Sequence, residues 1–266
     1  MLHFFRQLRR SFLTENKFNR YLLYAFGEIL LVVAGILIAL QIDTWNENKK
    51  DHALEIKYLN GIVKNIEDDI TKLKAHILED SLQLDGYTTL VRAFTDEGIK
   101  SNPQSLLSTI FRIQLINSFE GNNIVFEDLK SSGRTNLIRS DSLRFKILEY
   151  YNRSAITIAS EKEMHNPAIL SLRNQLFITD EVGINGVESL FFPEYWASDL
   201  DPSTPYTDFI SFLNRDINSK FARGFSNRAG YLKALILAKR IGRIRLLKNA
   251  QNLKEKVNEY LMEISD

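Results

Sequence analysis

The amino-acid sequence predicts an all-α protein, on three observations. A stretch near the start is apolar for about six helical turns, two later stretches have apolar residues at heptad spacing, and no segment alternates as a half-buried strand would. We predict a transmembrane helix that continues into a long helix, followed by a helical-bundle domain with a long antiparallel C-terminal helix. The predicted divisions are a basic amphipathic segment at 1–20, the membrane helix at 21–42, and a helical domain at 43–266.

The apolar stretch runs from Tyr21 to Ile42, and its strongly polar members are Glu28 and Gln41. As a helix it would be about 33 Å long, which matches a hydrocarbon core of about 30 Å. It is too long for the apolar part of a secretory signal peptide and lacks a small-x-small cleavage site. The segment is therefore expected to remain attached as an anchor in the lipid bilayer.

The charges around this stretch predict its orientation. Five basic residues precede or open it, whereas the residues that follow mix lysines with acids. By the positive-inside rule, the N-terminus is cytoplasmic and the domain lies outside the cytoplasm. The basic residues are Arg6, Arg9, Arg10, Lys17 and Arg20.

Three residues of the stretch are candidates for contacts within the membrane. Gly35 and Ala39 form a small-xxx-small pair, which allows two helices to approach closely. Glu28 is costly in hydrocarbon, so it either contacts a partner helix or reaches towards water at the cytoplasmic face. The partners expected are the bilayer and either a second copy or another membrane protein.

Composition excludes several functions. The chain has no cysteine, and its net charge of +1 does not suggest a nucleic-acid partner. No nucleotide-binding, metalloprotease or nucleophile-elbow motif is present, so we predict no catalytic residue, metal or cofactor. Glu161 with His165 has the spacing of a metal pair, and Glu127 with Asp128 could form an acid–base pair. Charged, solvated helix faces explain both pairs better.

Two long helices are predicted in the domain, at about 46–85 and 226–264. Gly86 is the expected end of the first helix. Each long helix has a seam, which is a line of apolar residues at heptad spacing that packs against another helix, and Asp80 is expected to interrupt the seam of the first. The seam residues of the first helix are Ile56, Leu59, Val63, Ile66, Ile70, Leu73 and Ile77. Those of the second are Leu246, Ala250, Leu253, Val257, Tyr260 and Ile264, with a stripe slightly out of phase at Ala234, Leu237, Ile241 and Ile244.

The second long helix has seven basic residues and no acid between 228 and 248. We prefer an intramolecular explanation, in which antiparallel pairing brings Glu67, Asp68 and Asp69 near Arg240, Arg243 and Arg245. The alternative is a binding surface. The first seam could instead pair two copies, and periodicity alone does not separate these arrangements.

Between the long helices, residues 87–177 are predicted to form shorter helices. One ends at Gly133, and Ser140 caps the next. Residues 178–207 lack helical periodicity and are rich in Gly, Pro and aromatic residues, which predicts a long loop. Phe191, Tyr195 and Trp196 could bind a ligand there, although sealing one end of the bundle is the more economical explanation.

Two stretches resemble a known family. GEILLVVAGILIALQIDTWNE at 27–47 and FEDLKSSGRTNLIRSDSLRFKILEYY at 126–151 are similar to an uncharacterised family of single-pass membrane proteins frequent in Bacteroidota. The resemblance implies a signal anchor in a Gram-negative inner membrane and a helical periplasmic domain. It implies no activity and transfers no catalytic residue.

Three functions remain open from the sequence. The first is a non-catalytic, membrane-anchored periplasmic module that acts through protein or ligand contacts. The second is a sensor-like input domain that signals through a membrane partner, since a cytoplasmic tail of about twenty residues holds no signalling domain. The third is a hydrolase, which would need a polar cluster in a buried cleft near residues 161–206.

Overall fold

The computed structural model describes residues 18–95, 109, 113, 115–177 and 220–265. These residues form no strand, so the all-α prediction is confirmed. The chain divides into two compact units, Met1–Lys57 and Tyr58–Asp266. The predicted loop at 178–207, with Phe191, Tyr195 and Trp196, lies outside the described residues.

Helix α1 runs without interruption over Phe18–Thr95. Its residues 18–57 are the described part of the first unit. Over residues 22–42 the large apolar side chains are exposed on every face, as with Leu23 at 78% and Leu31 at 75%. This is the one helix of the described ranges that is long and apolar enough to cross a membrane.

Among the described residues, the second unit is a bundle that contains the rest of α1 and four later α-helices. Their bounds are α2 at Ile124–Ser131, α3 at Asp141–Ser160, α4 at Asn166–Phe177 and α5 at Lys220–Ser265. A short 3₁₀ helix, Arg134–Leu137, precedes α3, and a π-helical turn, Glu161–His165, joins α3 to α4. The core contains Leu59, Ile62, Ile66 and Leu73 of α1, Ile147 and Tyr150 of α3, and Leu246, Ala250 and Val257 of α5.

Local signals at the ends of α2 and α3 act as predicted. Gly133 follows α2 with a φ of +69°, a left-handed conformation that glycine adopts without steric cost. Ser140 caps α3, because its hydroxyl accepts a hydrogen bond from the Leu143 backbone N–H at 3.3 Å.

Gly86, in contrast, does not end the first long helix, which continues to Thr95. Gly86 is buried, and a Cβ placed on it would lie 2.8 Å from Cγ2 of Ile113. The absence of a side chain therefore permits close packing of another segment against α1. The prediction that Gly86 ends the helix was wrong because this glycine permits tertiary packing and does not terminate the helix.

Candidate functional site

The most unusual feature of the bundle is a cluster of four buried charged side chains, centred on Arg243 of α5. The Arg243 guanidinium is fully buried. Its Nε and Nη2 donate to the two carboxylate oxygens of Glu161, each at 2.7 Å, which is the bidentate geometry that guanidinium and carboxylate groups favour. Its Nη1 donates to Oδ1 of Asp80 on α1 at 2.9 Å. One side chain thus joins α5 to α1 and to the π-helical turn.

Lys239, four residues before Arg243, supplies the second cation. Its Nζ lies 3.0 Å from Oδ1 of Asp80 and donates to Oδ1 of Asn117 at 2.7 Å. Burial lowers the pKa of Lys239, and the nearby Asp80 carboxylate partly offsets that effect. Two carboxylates and two cations therefore balance in charge inside the bundle.

The segment 115–123 completes the cluster. The backbone carbonyl of Asn117 accepts a hydrogen bond from Nη2 of Arg243 at 2.8 Å. The backbone N–H of Phe119 donates to Oε2 of Glu161 at 2.8 Å. These bonds satisfy backbone groups that have no helical partner, which is how non-helical chain is accommodated next to a core.

Glu161 reaches the cluster from the π-helical turn Glu161–His165. Such turns insert an extra residue into a helix and recur at functional sites. His165, at the end of the turn, is also buried, and its Nδ1 lies 3.0 Å from the Ser160 carbonyl oxygen. The prediction that Glu161 and His165 are solvated helix charges was therefore wrong. The described residues contain no group of three or more residues that could hold a metal ion.

Each of the four ionised groups contacts an opposite charge at 3.0 Å or less. A general acid or base must instead reach a substrate proton. Buried ion pairs add little net stability because desolvation opposes their attraction, but polar groups in a seam can specify helix register. The geometry therefore fits a structural role in alignment better than catalysis.

Three contacts define the register of α1 against α5. Asp80 pairs with Arg243, Ser81 accepts a hydrogen bond from Nε of Arg240 at 2.9 Å, and Glu67 lies 2.8 Å from Nζ of Lys254. The two helices are antiparallel, as predicted. The predicted register was wrong by about three helical turns, since it placed Glu67, Asp68 and Asp69 near Arg240, Arg243 and Arg245.

The same contacts explain much of the basic stretch at 228–248. Lys239 and Arg243 are buried in ion pairs, and Arg228 and Arg240 donate to Ser171 and Ser81. Arg245 and Lys248 are exposed. The intramolecular explanation is therefore correct for the two buried cations, with Asp80 and Glu161 as the acids.

The buried positions also correct both predicted seams. On α1, Leu59, Ile66 and Leu73 are buried as predicted, but Asp80 continues their column at the same seven-residue interval. The second buried column contains Ile62, Asp69 and Gln83, whereas Val63 and Ile70 lie beside it. On α5 the buried positions keep one register throughout, at Ala229, Leu232, Ile236, Lys239, Arg243, Leu246, Ala250, Leu253 and Val257.

No change of phase occurs on α5, and the predicted stripe at 234–244 faces outward. Leu237, Ile241 and Ile244 are 46%, 41% and 40% exposed. Periodicity of apolar residues missed the true seam because Lys239 and Arg243 occupy it. The sequence did contain a signal for this seam, because Lys239 lies seven residues before Leu246 and Arg243 lies seven residues before Ala250, which is the heptad interval.

A second polar site lies along α1 at Asp69, which is also fully buried. Its Oδ2 accepts from the Tyr150 hydroxyl and its Oδ1 from the Asn122 backbone N–H, both at 2.7 Å. Burial raises the pKa of Asp69, and these two hydrogen bonds partly oppose the rise.

This pKa shift predicts a pH dependence. A carboxyl with a raised folded-state pKa favours folding at low pH, and its contribution is lost as pH rises through that pKa. Asp69→Asn keeps the shape, and its amide can donate to the Tyr150 hydroxyl. We expect the unfolding free energy of Asp69→Asn, relative to wild type, to increase from pH 4 to pH 7 in denaturant titrations. A difference that stays constant with pH would show that Asp69 does not titrate in this way.

The other predicted residues are placed as follows. Glu28, Gly35 and Ala39 are exposed on α1 in the first unit. Glu127 and Asp128 are exposed on α2, which confirms a charged helix face, and Asp128 accepts a hydrogen bond from the Tyr58 hydroxyl at 2.8 Å. None of the four residues of the ionic cluster was predicted as a site residue, although Glu161 was considered with His165 as a metal pair.

These features define a class, namely all-α proteins in which an apolar N-terminal helix continues into a helical domain with a charged seam. A family model matches residues 28–173, more than half of the chain, and the protein belongs to this family of unknown function, DUF6090. The match includes nearly all of the first stretch that suggested a resemblance, and the whole of the second. No curated protein and no solved structure gave a significant match.

Proposed function

We propose that this protein is a single-pass, membrane-anchored helical module that acts through protein or ligand contacts rather than catalysis. The observation that carries the proposal is the surface of α1 over residues 22–42. Its large apolar side chains are exposed along the whole stretch, and such a surface is costly in water but stable in hydrocarbon. Helix α1 itself continues without interruption from this stretch to Thr95.

The proposed orientation places the N-terminus in the cytoplasm and the bundle in the periplasm of an inner membrane. The five basic residues at 6–20 support the orientation. The mutual pairing of the buried charges supports a non-catalytic role. Within the membrane, Glu28, Gly35 and Ala39 are the proposed contact residues for another helix.

The test is fractionation of the full-length protein with a tag at either end. We expect the protein to remain in the membrane pellet after washing at high pH, and to dissolve in detergent. In spheroplasts, external protease should remove a tag placed after Asp266 and spare one placed before Met1. Replacing Leu30 and Leu37 by arginine should move the protein to the soluble fraction. A wild-type protein that dissolves without detergent would contradict the anchor, and reversed protease sensitivity would contradict the orientation.

A second candidate is an input domain that signals through a membrane partner. Asp80, which anchors the ionic cluster on α1, belongs to the same uninterrupted helix as the apolar stretch, and this favours the idea. Crosslinking from native membranes should then capture a specific transmembrane partner with wild type and lose it with Glu28→Gln. Capture that does not depend on Glu28 would remove this candidate.

A further inference from the structure

Helix α3 has an apolar stripe on the side opposite its core face. The core face contains Leu143, Ile147 and Tyr150, each less than 5% exposed. On the opposite side, Phe145 is 67% exposed, Ile156 is 61% exposed and Leu148 is 41% exposed. A surface helix normally has polar residues there, so this face of α3 requires an explanation.

The exposed residues have the spacing of a helix-pairing seam. We define the outer stripe of α3 as Phe145, Leu148, Asn152, Ala155 and Ala159, which follow one another at intervals of 3, 4, 3 and 4 residues, together with the adjoining Ile156. Every member is exposed and none is ionisable. This spacing gives the a and d positions of a two-helix coiled coil over about 21 Å.

We propose that the outer stripe of α3 is a pairing surface for a second copy of this chain, about a two-fold axis parallel to the helix. In such a pair each residue lies opposite its own counterpart. Asn152 then meets Asn152, whose carboxamide can both donate and accept a hydrogen bond. An asparagine at one a position is a known determinant of pairing register.

The charges beside the stripe are complementary in this arrangement. Arg144 and Glu149 lie five residues apart on its two flanks, which are the g and e positions of the same seam. In a parallel pair, a g residue lies close to the e residue five positions later on the partner helix. In one copy these side chains contact Asp141 and Arg153, respectively. On pairing, Arg144 of one copy would also approach Glu149 of the other, and this contact would occur twice.

The outward stripe of α5 is less suited to a second copy. Its apolar residues are less exposed, at 40–46%, and Arg240, Arg245 and Lys248 are interspersed with them over a stretch that has no acid. Two such faces would repel each other. This contrast between the two helices favours α3 and makes α5 a suitable control.

A single pair of helices buries less than the roughly 800 Å² per partner of a typical stable interface. The pair is therefore expected to be weak at low concentration. Confinement of both copies to one membrane raises their effective concentration. The increase in effective concentration depends on the proposed membrane anchor, whereas the stripe and its self-complementarity do not.

The absence of cysteine from the sequence allows a direct test. Single cysteines replace Leu148 or Asn152 in the stripe, Arg153 on another side of α3, or Ile241 on α5. Full-length proteins in native membranes are oxidised with copper phenanthroline and separated without reductant. We expect Leu148→Cys and Asn152→Cys to form covalent dimers at least five times as efficiently as the two controls. Absence of dimers at the stripe positions, or equal dimer formation at all four positions, would overturn the proposal.

A second substitution separates pairing from chance collision. In the Asn152→Cys background, Leu148→Glu should reduce dimer formation several-fold, whereas Leu237→Glu on α5 should not. Dimer formation that survives Leu148→Glu would count against the stripe. Fractionation of the same samples distinguishes failure of the membrane anchor from failure of the stripe pairing. Protein in the soluble fraction contradicts the anchor but not the pairing. Such protein should still form the stripe dimer when concentrated.

Discussion

Replacing Arg243 by methionine is expected to destabilise the bundle by about 3–5 kcal/mol, the usual cost of removing one partner from a buried ion pair. Glu161 would lose both donors of its bidentate contact, and Asp80 would keep Lys239 as its cation. Two carboxylates would then share one buried cation. The measurement is chemical denaturation of the full-length protein in detergent, monitored by tyrosine and tryptophan fluorescence.

Two further variants separate charge from packing. Arg245→Met, two residues away and exposed, should change the unfolding free energy by about 0.5 kcal/mol or less. A fourfold variant that combines Asp80→Leu, Glu161→Gln, Lys239→Met and Arg243→Met should recover part of the loss, because it leaves no buried charge unpaired. Recovery is incomplete because the Asn117 carbonyl loses the donor that Arg243 supplies. Equal effects of Arg243→Met and Arg245→Met would show that the cluster is not a buried unit in solution.

Ile236→Ala and Ile241→Ala are expected to differ strongly, although they lie on the same helix and delete the same atoms. Ile236 is fully buried in the seam of α5, so its truncation should cost about 2–5 kcal/mol. Ile241 is 41% exposed, so its truncation should cost less than about 1 kcal/mol. Thermal or denaturant unfolding of the two variants gives this comparison. The reverse order would support the phase that apolar periodicity assigned to residues 234–244.

The sequence was informative where a signal is local. The all-α class, the cap at Ser140 and the turn at Gly133 each depend on residues within one or two helical turns. The apolar members of the seam, such as Leu59, Ile66 and Leu73, were also identified because their spacing alone reports burial.

The candidate site was not predictable in the same way. Asp80 and Arg243 are 163 positions apart, and Glu161 and Arg243 are 82 apart. Each charged residue, taken alone, suggests a solvated surface, and burial becomes favourable only once the opposite charges are brought together. Apolar periodicity therefore counts these residues as interruptions. Extending the heptads through them would have kept α5 in one phase, but the choice of partners depends on the tertiary fold.

The charged seam also bears on how the long helices find each other during folding. The column of α1 that contains Asp80 has Leu73 one heptad before it and Tyr87 one heptad after it, both fully buried. If α5 docked one heptad too early or too late, the guanidinium of Arg243 would lie against leucine or tyrosine instead of a carboxylate. A misaligned pair of α1 and α5 would therefore bury the Arg243 guanidinium without its Asp80 partner and separate again quickly. This leaves few long-lived traps on the way to the native pairing.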